Sequence, residues 1–133
     1  MVRSPSELPL PAVRRAAEDT PGLQLLILFG SQAQDRAHTN SDWDLGYLAK
    51  PEAPIDHLHA QLIAALNTEK VDLVNLATAS GLLRYRAAAL GRPLFEARGG
   101  EFKRFWLEAV GFWCDVQGIL RAGYDRTLER LGP

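Results

Sequence analysis

Two stretches decide the reading of this chain: Leu23-Gln24-Leu25-Leu26-Ile27-Leu28-Phe29-Gly30-Ser31 and, ten residues later, Asp42-Trp43-Asp44-Leu45-Gly46-Tyr47-Leu48. The first is almost wholly apolar, with Pro21-Gly22 before it and Gly30-Ser31 after it. Such a run, bounded by turn residues, reads as a strand buried on both faces, although periodicity alone does not separate it from a short helical segment. The second alternates. Along a strand successive side chains point to opposite faces, so Asp42 and Asp44 share one face while Trp43, Leu45 and Tyr47 form the packed one.

Working outward, Pro11 to Asp19 predicts a short helix with proline tolerated in its first turn. Ser31 to Ala37 is polar and suits the start of another short helix, followed by turn-like His38-Thr39-Asn40-Ser41. Ile55, Leu58, Leu62, Ile63 and Leu66 recur at helical spacing, giving an amphipathic helix over 55–67. Val71 to Leu76 reads as a third strand. Ser80 caps a helix that Gly91 closes, and Pro93 to Glu96 reads as a short last strand. From Glu101 to Leu131 there is no proline and the apolar content is high, which predicts a long terminal helix set off by Arg98-Gly99-Gly100. The order predicts an α/β (α+β) fold: a small mixed sheet of three or four strands with helices mainly on one face, plus the C-terminal helix. One domain over 1–133 is expected, with its core at about 23–97 and that helix at about 101–131.

The 133 residues are 47% hydrophobic and 23% charged, a globular rather than disordered profile. A formal net charge of -1 argues against a duplex nucleic-acid partner, which needs a basic face. One cysteine and three histidines supply neither a disulfide nor zinc spacing. No apolar run is long enough for a membrane span, the N-terminal stretch lacks the apolar centre of a signal peptide, and a cytoplasmic location is expected.

The chemistry rests on the acidic pair together with Asp72 on the third strand. Carboxylates about 4 Å apart repel by roughly 4 kcal/mol at an effective dielectric near 20, so a cation is expected between them. An all-oxygen set suits Mg²⁺ or Mn²⁺, and Mg²⁺ binds through one or two carboxylates plus substrate phosphates. Gly30 lets a backbone approach such phosphates, and Ser31 at a helix start adds donors. Simpler readings of the same residues exist. Most Asp-x-Asp pairs are solvated surface residues; a calcium loop fails because Leu45 and Pro51 stand where it needs Gly and Glu; a P-loop fails for lack of Gly-Lys-Ser/Thr. His57 and His59, two apart on one helix, read as solvated, and Cys114 as packing.

Gly30-Ser31, the ten-residue spacer, Asp42-Trp43-Asp44 and Asp72 together resemble the DNA polymerase β-like nucleotidyltransferase superfamily, and most of all its minimal nucleotidyltransferase (MNT) branch. The resemblance covers roughly Leu23 to Phe95. It implies that Asp42, Asp44 and Asp72 are the catalytic and metal-binding residues, Asp72 also handling the acceptor hydroxyl, with two Mg²⁺ or Mn²⁺ ions. Gly30 and Ser31 would hold the phosphates of ATP. Many members carry Gly-Ser-Arg-Ala-Arg-Gly; this chain has Gln32, Gln34 and Asp35, and Arg36 is the candidate that compensates. MNT proteins commonly pair with HEPN toxins as antitoxins and add AMP to a toxin tyrosine, so the resemblance implies a HEPN-type partner. Two alternatives stand beside it: a small-molecule acceptor, and a non-catalytic subunit that masks a partner. The terminal helix, apolar over more than half its circumference from Phe102 to Leu120, points to a protein partner or a homo-oligomer.

Overall fold

The computed structural model describes residues 8–30 and 42–115. Ser31, Gln32, Gln34, Asp35, Arg36 and His38 lie outside the described residues, as does the part of the terminal helix beyond residue 115. Within them the order is α1 (Leu10–Glu18), β1 (Leu23–Phe29), β2 (Trp43–Ala49), α2 (Ile55–Leu66), β3 (Val71–Asn75), α3 (Gly81–Leu90) and β4 (Arg92–Glu96), then helix α4 over 101–115. No helix among the described residues is long and apolar enough to cross a membrane.

The sheet has the order β3-β2-β1-β4 and is mixed. β1 pairs antiparallel with both β2 and β4, whereas β2 and β3 run parallel and are joined through α2. A parallel pair needs such a crossover, because a tight turn cannot return the chain to the same end. β1 is central, and its side chains alternate between two cores. Leu23, Leu26 and Leu28 belong to one, with Val13, Trp43, Leu45, Leu58 and Leu62; Leu25, Ile27 and Phe29 belong to the other, with Leu76, Ala87, Phe105 and Ala109. The helices therefore divide between the faces, α1 and α2 on one, α3 and α4 on the other. This is more even than a layer chiefly on one side, because a strand apolar on both faces leaves two surfaces to cover.

Helix ends follow the local chemistry. Ser80 accepts a hydrogen bond from the Leu83 amide at 3.2 Å, and Asn67 closes α2 in the left-handed region at φ 56°. The stretch around Arg98-Gly99-Gly100 is not a loose separator. The Phe102 amide donates to Glu96 Oε1 at 2.8 Å and the Arg98 amide to Glu101 Oε2 at 3.1 Å, so two carboxylates cap the start of α4. Phe105, 1% exposed, and Ala109 then dock α4 on the second core.

Candidate active site

The three acids come together at one end of the sheet. Asp44 pairs in register with Phe29 on one side and with Asp72 on the other, so Asp44 and Asp72 stand side by side and point to the same face. Asp42, exposed, immediately precedes β2 and falls on that face by alternation. Trp43 and Leu45 turn the other way into the first core, with Tyr47 packed against it. Asp72 is exposed on β3, one of the two edge strands of the sheet.

Two glycines shape this face. Gly30 has φ 81°, and a Cβ there would meet the Asp44 side chain, lying 3.2 Å from Cγ and closer still to Oδ2. Only glycine lets the chain leave β1 beside that carboxylate. A Cβ at Gly46 would lie 2.8–2.9 Å from the side chain of Leu76, so the bare backbone lets Leu76 lie across β2 beneath the acids. The start of β3 is anchored as well. The Trp43 amide donates to the Lys70 carbonyl at 2.8 Å, and His59 Nε2 lies 2.7 Å from the Val71 carbonyl oxygen, donating in the tautomer protonated there.

That contact corrects the reading of His59 as solvated: it is half-buried and ties α2 to the residue before Asp72. The spacing of His59 to Ile63 and Leu66 on one helical side carried the signal. His57 is exposed and pairs with Gln61 at 2.9 Å. Cys114 is exposed rather than packed, since the described part of α4 turns Phe105 and Ala109 inward instead.

Burial raises the Asp44 pKa above the ordinary carboxylate value, and the neighbouring Asp72 and Asp42 charges raise it further. A carboxylate held among like charges is one that a cation would relieve, and the oxygen-only donors fit a hard divalent ion. Among the described residues no three His, Cys, Asp or Glu side chains make a group that could hold a metal ion by itself. A cation here needs oxygens from outside the trio, and a bound triphosphate carries them.

Comparison with known proteins agrees with this geometry. Residues 12–98 match the family described as Polymerase beta, Nucleotidyltransferase. The chain is 33% identical over 127 residues to the protein adenylyltransferase MntA of Aphanizomenon flos-aquae, covering 84% of this chain and 85% of that protein. It is 34% identical over 120 residues to MntA of Shewanella oneidensis, covering 87% and 84%. Its fold superposes on a crystal structure of a toxin-antitoxin with AMP-PNP at a TM-score of 0.69 and 29% identity, over 90% of this chain and 98% of the other. An MNT antitoxin in complex with tri-AMPylated Shewanella oneidensis HEPN toxin matches at a TM-score of 0.64 and 25% identity, over 92% and 98%. With the Gly30 corner beside Asp44 and Asp72, and with these relatives, the chain belongs to the polymerase beta nucleotidyltransferase family, in its minimal nucleotidyltransferase branch.

Proposed function

We propose that this chain is an antitoxin enzyme that transfers AMP from ATP to a hydroxyl, a tyrosine, of a HEPN-type toxin. The observation that carries the proposal is the in-register pairing of Asp44 with Asp72 beside the Phe29-Gly30 corner, in a chain one third identical to protein adenylyltransferases.

Gly30 and Ser31 would take the triphosphate, with Arg36 as the candidate cation, and Asp42 and Asp44 with Asp72 would hold Mg²⁺ or Mn²⁺. The bound ions would neutralise charge on the attacking and leaving oxygens. Asp72, exposed on the edge strand β3, orients the acceptor hydroxyl and accepts its proton. The acceptor oxygen forms a bond to the α-phosphorus in line with the bond to pyrophosphate, which breaks. The protein's share is positioning: a rigid sheet presents the two neighbouring carboxylates at a fixed separation.

The toxin's own surface would present the acceptor tyrosine to this site. Trp106, Leu107 and Phe112 are large, apolar and exposed on different sides of α4, surface that a partner would cover. The same residues would serve a homo-oligomer if the partner is another copy. Incubation with labelled ATP, Mg²⁺ and the HEPN partner should label the partner, and Asp42→Asn/Asp44→Asn should abolish labelling. No transfer by the wild-type chain with either metal would exclude the enzyme; toxin neutralisation that survives the double substitution would favour a passive masking subunit.

A further inference from the structure

Asp44 and Asp72 stand on strands that are held differently. Asp44 has a strand neighbour on each side, Phe29 of β1 and Asp72 of β3. Asp72 sits on an edge strand of five residues and is paired on one side only. An edge strand leaves its outward backbone groups without a ladder and is the first part of a sheet to shift or fray. A carboxylate that must meet an acceptor hydroxyl to within about 0.5 Å needs a firmer seat than that.

A side chain supplies the missing side. The Lys70 carbonyl faces β2, where it accepts from the Trp43 amide, so the Val71 carbonyl, one residue on, points to the open edge. His59 Nε2 lies 2.7 Å from that oxygen and donates to it in the tautomer protonated there. The Val71 carbonyl and the Asp72 amide belong to one planar peptide unit, which runs from the Cα of Val71 to the Cα of Asp72. The Val71 side chain is buried in the first core at one end of this unit, and His59 holds its oxygen from the edge. Together they fix the Cα of Asp72 and the direction of its Cβ. The anchor is itself firm, because Leu58 and Leu62, both fully buried, seat the turn of α2 that carries His59.

We infer that His59 is a positioning residue for AMP transfer: it clamps the peptide unit that carries Asp72 and so sets where that carboxylate meets the acceptor hydroxyl. This rests on the nucleotidyltransferase reading above and deepens it. The imidazole acts through the backbone and not on the reacting atoms. A side chain that donates from the same place would serve as well, and one that only fills the space would not.

The rate of labelled AMP transfer to the HEPN partner, at saturating ATP, Mg²⁺ and partner and corrected for the folded fraction, tests it with three variants of the full chain. His59→Phe keeps a ring but loses the donor, and should slow transfer about tenfold, the order of cost that a displacement of less than 1 Å carries. His59→Gln returns an N–H donor at Nε2 and should restore most of the rate. Ile63→Val trims the same helix against the first core without touching the Val71 carbonyl, and should transfer at the wild-type rate although it too lowers stability. The half-saturating concentration of the partner should be the same in every chain. His59→Phe at the wild-type rate would overturn the inference. A Gln variant as slow as the Phe variant would also overturn it, and so would an Ile63→Val chain slowed as much, since His59 would then matter only for stability. A raised half-saturating concentration at an unchanged maximal rate would overturn it in favour of a docking role. Where the wild-type chain transfers AMP, these results bear on His59 alone; a wild-type chain that transfers none defeats the nucleotidyltransferase reading as well.

Discussion

The two faces of β2 carry opposite chemistries on one seven-residue strand. Trp43 and Leu45, 7% and 1% exposed, sit in the core with α1 and α2, whereas the reverse face carries the Asp44 carboxylate and the bare backbone of Gly46, which Leu76 covers. The contrast shows how a small domain holds repelling acids still. The packed face supplies the free energy that fixes the strand, and the strand then presents Asp44 beside Asp72 whatever the electrostatic cost. The same division recurs on β3, where Val71 is buried and Asp72 exposed.

Substitutions on the two faces should separate function from stability. The largest effect belongs to the acid face: Asp44→Asn should cut AMP transfer by about 10³-fold, because several kcal/mol of transition-state stabilisation are lost, with the circular dichroism spectrum unchanged. On the packed face, Trp43→Ala should cost about 3–5 kcal/mol in urea unfolding and reduce transfer only through loss of folded protein. Gly46→Val crosses between the two, since its side chain must displace Leu76; a loss of roughly 1–3 kcal/mol is expected together with reduced transfer. A smaller effect is expected for His59→Phe, which leaves the Val71 carbonyl without its partner and should cost about 1 kcal/mol.

The pH dependence sharpens the comparison further. Because the folded chain holds the Asp44 proton more tightly than the unfolded chain does, Asp44 lowers stability as pH rises from the ordinary carboxylate pKa through its raised value. Above that window the penalty is complete, and below it absent. Asp44→Asn should therefore raise the melting temperature at neutral pH without added metal, and the gain should vanish in acid. No gain at neutral pH would mean that the acid face carries no strain.

Local chemistry made much of this legible before any coordinates. The apolar run Leu23 to Phe29 between Pro21-Gly22 and Gly30-Ser31, and the alternation through Asp42 to Leu48, announce the two central strands and the shared face of the acids. α2 and the Ser80 cap follow from periodicity and side-chain chemistry in the same way. What escaped depends on contacts distant in sequence. The even division of helices reflects the two-sided burial of β1; the Leu76 side chain beneath Gly46, thirty residues earlier, and the His59 bond to Val71 exist only once the sheet has formed. The Glu96 and Glu101 caps turned an apparent glycine break into a fixed corner for α4.

Manganese binding, followed by electron paramagnetic resonance with and without ATP, addresses the cooperation of Asp44 and Asp72 most directly. The wild-type chain should hold Mn²⁺ weakly alone and much more tightly with ATP, and Asp44→Asn and Asp72→Asn should each remove that enhancement. An enhancement that persists in both variants would contradict the account.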